Sequence, residues 1–433
     1  MIVESVDDDI KRPRTPLQLR SASQHAKAQA ELPPHSKLSL KVLLRSLLVA
    51  AISSHPFLLS PVVEVLRFLD GSPRFWIFDV QGNPVLHGLM KKTLYSHFCA
   101  GENRAEVTTE TETGRGMNKK DQVSGDYGDS GIEAWRDGVL TTVEMLGEGD
   151  ILALKLTGAG PAVSEALSSS QPLPAQMAEA LAEVCSRAVE RKARIFVDAE
   201  QISVQRGIDT VALDLMRRFN VGGRGAVVYN TYQAYLKSTP ETLFSHMELA
   251  AQDGFVLGVK LVRGAYISSE PRHIINNTKE DTDQTYDSIA RGLLSQQCRD
   301  FGKADGKVFP NLELFLATHN KQSVLAANEL QQSRAQKGLH LTKIQCGQLL
   351  GMADEVSFSL LQLADRERRG TKTCDVAPIE VYKCLSWGSL GDCLAYLLRR
   401  AVENRDAVSR TRSEFVALKS ELWRRIAAGM LFR

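Results

Sequence analysis

The chain has 433 residues, 43% of them apolar and 24% charged, with 53 basic against 51 acidic side chains. That length accommodates two or three domains, or one large α/β barrel with extensions, and buries a sizeable core without staples. A formal charge of +2 provides no field that would draw in nucleic acid or an acidic membrane on bulk charge alone, so nucleic acid is not expected as a partner.

Residues 1–37 read as a presequence-like or disordered segment. Glu4 and Asp7 to Asp9 open it, and a basic, polar stretch free of acids follows from Lys11 to Lys27. No apolar run follows a basic start, so a secretory signal is not expected. Residues 38–100 read as a helical N-terminal region. Its apolar stretch from Leu38 to Leu69 is interrupted by charges and prolines, and its longest clean part, Ser46 to Ser54, is far short of a membrane span. Two helices broken near Pro56 are expected, packed on the main domain or, less favoured, presenting a membrane-surface face rimmed by Lys41 and Arg45. Residues 101–132 form an acidic, glycine-rich loop; from Gly101 to Asp150 there are 12 acids against 5 bases. The seven cysteines, Cys99, Cys185, Cys298, Cys346, Cys374, Cys384 and Cys393, include no Cys-x-x-Cys pair. They read as thiols in a reducing compartment, with no metal site among them.

From residue 133 to 433 the pattern is regular. Short aliphatic runs recur at ILALKL (151–156), RIFVD (194–198), AVVY (226–229), VLGVKLV (256–262), LELFLA (312–317), TKIQC (342–346) and EVYKCL (380–385). Between them lie helical stretches at 175–192, 210–218, 239–252, 285–300 and 321–337. Near-continuous hydrophobicity suits parallel strands covered on both faces, and strand alternating with helix predicts a parallel sheet. Almost every run ends in polar residues that a core would not choose: Lys155, Asp198 with Glu200, Asn230 with Gln233, Arg263 with Tyr266, Thr318 with His319 and Asn320, and Gln348. In a (β/α)8 barrel such strand ends converge on one mouth, which makes these residues a candidate site. The nearest approach to a dinucleotide fingerprint, TGAGPA (157–162), places Pro161 where a helix should open and lacks the third glycine.

The runs ALKLTGAG (153–160), FVDAEQ (196–201), YNTYQAYLK (229–237), VKLVRGAYISSE (259–270), LATHN (316–320), GQLLGM (347–352) and YLLRRAVEN (396–404) together resemble the successive signatures of proline dehydrogenase, in order, from about residue 133 to the C-terminus. LLRSLL and HFCAGEN resemble the fungal, mitochondrial type. The resemblance implies an α/β fold, a (βα)8 TIM-like barrel with a helical N-terminal extension. It also implies FAD-dependent oxidation of L-proline to 1-pyrroline-5-carboxylate, with electrons passed to a quinone. By the same resemblance the protein is mitochondrial and associates peripherally with the inner membrane on its matrix side.

Residue by residue, the resemblance gives the substrate carboxylate to Arg399 and Arg400, since adjacent guanidinium groups suit planar capture of a carboxylate. Tyr396 and Glu403 share that helix, Tyr396 three and four residues before the arginines and Glu403 four after Arg399; taken alone, such charges are more often a solvated, salt-bridged face. Lys155 and Asp198 correspond to a lysine and an aspartate at the floor of the substrate pocket, an ion pair that would orient the site and bias loss of the amine proton, or else a structural pair inside the barrel. Tyr266 and Leu349 would line the apolar side of the ring. Cofactor contacts fall on Asp198, Gln233, Lys260, Arg263, Gly264, Ala265, Tyr266, Thr318, His319, Asn320, Arg400 and Glu403. Gly264 and Ala265 are small enough for close backbone approach, and a cation at Lys260 would stabilise reduced flavin.

The sequence departs from the family twice. Cys384 stands where many relatives carry a second tyrosine over the substrate, leaving Tyr382 or Trp387 to compensate or the pocket looser. Between HFCAGEN and Trp135 the expected helix and first barrel strand are replaced by the acidic tract, leaving seven strand candidates; FWIFDV (75–80) comes in the wrong order to substitute. Two alternatives to an active enzyme follow: a catalytically impaired or non-catalytic paralogue, and a Schiff-base lyase built on Lys155.

Overall fold

The computed structural model describes residues 2–5, 33–71, 78–110, 129–369, 379–406 and 408–429. The chain divides into two compact units, one of Met1–Ser5, Thr113–Gly347 and Glu367–Cys384, the other of Val6–Glu112, Gln348–Arg366 and Leu385–Arg433.

Nine strands are present among the described residues: β1 (Ile2–Ser5), β2 (Cys99–Gly101), β3 (Ile151–Leu154), β4 (Arg194–Val197), β5 (Val228–Gln233), β6 (Leu257–Val262), β7 (Leu312–Ala317), β8 (Lys343–Leu349) and β9 (Glu380–Trp387). They form one sheet in the order β1-β3-β4-β5-β6-β7-β8-β9-β2, and β1 also pairs with β9. Neighbours from β3 to β8 are parallel and in simple chain order. The fold is therefore α/β and TIM-like, as expected.

Seven aliphatic runs became strands, and β1 fills the place between β3 and β9. It runs antiparallel to β3, with Ile2 opposite Leu152 and Val3 opposite Ile151. Most of the 1–37 segment expected to be presequence-like, and the tract where relatives would carry a first strand (111–128), lie outside the described residues, as do residues 75–77 of FWIFDV.

Period-two alternation explains what the first unit holds inside its sheet. Ile151, Phe196, Tyr229, Phe315 and Tyr382 pack together, with Ala153, Val256, Ala317 and Cys384 against them. The Phe196 and Phe315 rings meet edge to face at 4.7 Å. Gly347 on β8 has no room for a side chain, since an added Cβ would stand 2.5 Å from the Phe315 ring. Below this layer Glu313 accepts from the Tyr229 hydroxyl (2.7 Å) and the Ala226 amide (3.1 Å). Tyr382 donates to Glu380 at 3.0 Å, which commits it to this buried polar floor rather than to compensating for Cys384.

Several boundaries differ from the sequence reading for identifiable reasons. Strand β5 runs on through Asn230 to Gln233, because Asn230 donates to Asp209 (2.8 Å) and Thr231 to the Val197 carbonyl (2.8 Å), satisfying polar groups inside a buried strand. The helix expected at 285–300 is Lys279–Ser295, opened by a capping box of Thr278 and Asp281 and closed by Gln296 at φ 56°. The 210–218 helix begins earlier and spans Ile202–Phe219. Pro161, read as an obstacle, is the first residue of helix Pro161–Ser168, the position where a missing N–H costs nothing.

Asn220, fully buried after helix Ile202–Phe219, joins the entrances of two strands. Its Nδ2 donates to the carbonyls of Val228 (2.7 Å) and Val256 (2.8 Å), and its Oδ1 accepts from the amides of Val227 (2.9 Å) and Val228 (2.8 Å). Removing one partner strands several main-chain groups, so Asn220→Ala is expected to lose about 2–3 kcal/mol. Chemical denaturation with an unchanged slope checks this.

In the second unit, helices Leu40–Ser53 and Pro56–Gly71 are separate, broken as expected at Pro56. Leu38, Leu43 and Ala50 pack on Leu418 of helix Val408–Ala427. Buried Glu421 pairs with Arg424 and Arg425, and Arg425 also donates to the Leu38 carbonyl at 2.7 Å.

Candidate functional site

The first unit gathers most of the expected residues at the carboxyl ends of its strands. Asp198 lies two residues beyond Phe196 and Lys260 four beyond Val256, so both share the inward face of their strands. Their charged groups meet at 2.5 Å with side chains 15% and 14% exposed. The Lys260 ammonium also lies 4.9 Å from the Phe196 ring centroid. The aspartate's ionic partner is therefore Lys260, not Lys155. Lys155 stands beyond the end of β3, exposed, and donates instead to the Tyr266 hydroxyl at 3.0 Å. Its main-chain carbonyl accepts from the Trp135 indole at 3.0 Å, fixing where the side chain starts.

The loop after β6 is built on Gly264 and Gln233. Gly264 has φ +136°, and an added Cβ would fall 1.9 Å from the Tyr235 ring. Gln233 donates to the Glu200 carbonyl at 3.1 Å and receives the Ala265 amide at 3.4 Å. Gly264 and Ala265 are themselves exposed. Glu200 in turn accepts from the Thr157 amide at 3.1 Å and from its hydroxyl, and Glu270 accepts the Ile202 amide at 2.7 Å. These ties brace the loops after β3, β4 and β6 against one another.

Arg263 spends its guanidinium inside the unit: Nε on Asp283 (2.5 Å), Nη1 on the Thr318 hydroxyl (2.7 Å) and Nη2 on the Ser323 hydroxyl (3.0 Å), with its plane over the Tyr286 ring at 4.2 Å. Asn320 caps helix Lys321–Gln336, its side chain accepting from the Gln322 and Ser323 amides, while its own amide donates to Thr318. His319 is half-buried beside them. Phe196, Asp283, Tyr286 and Ser323 were not singled out from sequence. Of these only Phe196 lies within one of the family-like runs, FVDAEQ.

Burial raises the Asp283 carboxyl, but hydrogen bonds from Lys279 and Arg263 more than offset it and leave the pKa below the usual value. A depressed folded-state pKa contributes stability that is present above the unfolded value, about 3.9, and is lost as pH falls through the folded one. Asp283→Asn should therefore flatten the acid limb of thermal stability below about pH 4 and lower the plateau above it.

The second unit contains Leu349, Tyr396, Arg399, Arg400 and Glu403. On helix Leu394–Asp406, Tyr396 and Arg400 are each 8% exposed, whereas Arg399 and Glu403 are exposed. Arg400 lies over the Tyr396 ring at 4.9 Å, and its Nη2 meets Glu403 at 2.7 Å. Its Nε is buried with no hydrogen-bond partner among the described residues. One of the adjacent arginines is thus held inward and under-satisfied, a state that favours an anion. Leu349 is half-buried at the end of β8.

A family model described as proline dehydrogenase matches residues 98–413. The probable mitochondrial proline dehydrogenase of Schizosaccharomyces pombe is 32% identical over 56% of this chain and 49% of its own length. The chain spans about half or less of the length of the first curated relatives it matches. The hydroxyproline dehydrogenase of Rattus norvegicus is 28% identical over 95% of this chain and 94% of its own. The structure of proline utilization A from Bdellovibrio bacteriovorus, inactivated by N-propargylglycine, superposes with a TM-score of 0.59 at 17% identity, covering 90% of this chain and 41% of that one, a likeness of fold.

Proposed function

Because this chain belongs to the proline dehydrogenase family, we propose that it oxidises L-proline to 1-pyrroline-5-carboxylate using non-covalently held FAD, with electrons leaving to a quinone. The observation that carries the reading is the Asp198–Lys260 pair on the inward strand faces, with Lys155 and Tyr266 hydrogen-bonded at the strand ends.

The residues present fit a flat cofactor. Gly264 and Ala265 are exposed and carry no more than a methyl group, so their backbone edge is open to a ring system. Lys260, Gln233, Tyr266 and His319 supply donors on adjoining elements, and Arg263 with Thr318 and Asn320 fixes the loops that present them. Asp198, Arg400 and Glu403 complete the proposed contacts. When bound, the flavin supplies the hydride acceptor, whose reduced form bears negative charge. Lys260 offers the opposing charge.

Arg399 and Arg400 hold the substrate carboxylate, with Tyr396, Tyr266 and Leu349 against the ring. Hydride can leave the carbon beside nitrogen only from the unprotonated amine. Asp198 is assigned to that proton as a carboxylate that can receive it, and Lys155, whose ammonium donates to the Tyr266 hydroxyl, adds positive charge that biases the amine toward losing it.

Mitochondrial location, with peripheral contact at the inner membrane on the matrix side, is part of the same reading. In its favour, the relatives from Schizosaccharomyces pombe and Homo sapiens are named mitochondrial. Helices Leu40–Ser53 and Pro56–Gly71 also expose Leu48, Phe57, Val65 and Phe68, each at least half open to solvent. No single helix among the described residues is long and apolar enough to cross a membrane.

A second substrate, 4-hydroxy-L-proline, is favoured by the near-complete match to a hydroxyproline dehydrogenase. A Schiff-base role for Lys155 is disfavoured by its exposure, which leaves the ammonium solvated rather than buried as a nucleophile requires. Anaerobic mixing of the yellow protein with each imino acid decides between these. Bleaching of the flavin band by proline supports the main reading, and bleaching by hydroxyproline alone supports the second. Retained colour with both identifies a non-catalytic relative, while a colourless protein trapped by borohydride identifies a lyase.

A further inference from the structure

We propose that Gln205 and Asp209, on the helix after β4, are positioning residues that fix the direction of the 198–201 loop and, through Glu200, of the loops after β3 and β6. What those loops do in catalysis rests on the function proposed above; the chain of hydrogen bonds that joins them does not.

The chain starts at Asp209. Its Oδ1 accepts from Nε2 of Gln205 at 2.8 Å and from Nδ2 of Asn230 at 2.8 Å. One oxygen receives both amides, and it can do so whether or not the other oxygen carries a proton. A carboxamide has a donor end and an acceptor end, so committing Nε2 of Gln205 to Asp209 turns its Oε1 the other way. There it accepts the Glu200 amide at 2.9 Å in a buried contact. Gln205 and Asp209 stand four apart on helix Ile202–Phe219 and so share a face. Gly207 seats that helix closely, because an added Cβ would overlap the Leu167 carbonyl.

Beyond Glu200 the chain divides. The carboxylate accepts from the Thr157 amide at 3.1 Å and from the Thr157 hydroxyl, two residues past Lys155. The main-chain carbonyl accepts from Gln233 at 3.1 Å, and Gln233 in turn accepts the Ala265 amide at 3.4 Å. The backbone next to Asp198, Lys155 and Tyr266 is therefore tied to one buried carboxamide, although Gln205 and Asp209 hydrogen-bond to none of the three.

Asp209 holds this place at a cost to stability. Burial raises its carboxyl above the usual value, the two amide donors offset that only in part, and it forms no ion pair among the described residues. A leucine would pack there without the penalty, but both carboxamides would then be free to turn.

The test compares the full chain with Gln205→Met, Asp209→Leu and the double variant Gln205→Glu/Asp209→Leu. Methionine keeps the length of Gln205 and removes its hydrogen bonds. Glutamate at 205 accepts through either oxygen, so it needs no neighbour to orient it, and Asp209 becomes dispensable. By hydrogen–deuterium exchange the Glu200 and Thr157 amides should exchange about fivefold or more faster in both single variants, as expected for a lost hydrogen bond, and return to parental rates in the double variant. With L-proline, kcat should fall about 10- to 100-fold in Asp209→Leu while flavin is retained and KM changes little, and it should recover in the double variant. Parental exchange rates in Asp209→Leu, a change confined to Glu200, an unrescued double variant or an unchanged kcat each overturn the proposal. If the parent itself reduces no flavin with proline, the function proposed above fails, and the exchange rates alone still decide the positioning role.

Discussion

Arg400→Met is expected to lower kcat/KM for L-proline by about 100- to 1000-fold, mostly through KM, with the protein still folded and still yellow. A buried guanidinium that loses a hydrogen-bonded carboxylate partner, or the reverse, typically costs about 2–5 kcal/mol, and each factor of ten corresponds to about 1.4 kcal/mol. Arg400 is 8% exposed, is stacked on Tyr396 and keeps a buried Nε without a partner among the described residues, so much of its binding capacity is unspent. Arg399 is exposed, and the same change there should cost less because water screens its charge. Methionine keeps the stem that packs on Tyr396 while deleting the charge. Steady-state kinetics on both single variants check the ranking. Equal effects at 399 and 400 would contradict the distinction in burial.

That distinction was not available from the sequence. YLLRRAVEN places two arginines, a phenol and a carboxylate within about two helical turns, but spacing does not say which arginine turns inward. The parallel sheet was legible because strands covered on both faces must be aliphatic throughout, and LELFLA became β7 without a change of boundary. Polar strand interiors were less so. Asn230 and Gln233 read as residues beyond a strand end, and they lie within β5 because each finds a buried partner. The four residues of β1 were hidden for another reason: Ile2–Ser5 is too short to carry a period, and only its pairing with β3 and β9 makes it a strand. Arg263 shows a third limit. Its place in VKLVRGAY marks it as a cofactor-contact candidate but does not show that Asp283, Thr318 and Ser323, from 20 to 60 residues away in sequence, each receive one of its donors. No local pattern announces partners so distant.

The Asp198–Lys260 pair allows structure and chemistry to be separated experimentally. Removing one member of a nearly buried ion pair leaves an uncompensated charge and typically costs about 3–5 kcal/mol, whereas replacing both by apolar groups is often close to neutral. Asp198→Leu and Lys260→Met should each lower stability by about 3–4 kcal/mol, with the side chains only 15% and 14% exposed. The Asp198→Leu/Lys260→Met double variant should recover most of that loss, because the pair sits over Phe196 among apolar neighbours that tolerate aliphatic replacements. Denaturant midpoints for the four proteins give the coupling energy directly. Turnover should not recover with stability. If the carboxylate takes up the amine proton and the ammonium faces negative charge on the cofactor, the double variant folds well, shows a weakened flavin band and stays at least about 100-fold below the parent in kcat. Recovery of both stability and turnover would make the pair a structural strut and move proton handling to Lys155 and Tyr266. Recovery of neither would show that the two charges are not energetically coupled, against the 2.5 Å contact between them.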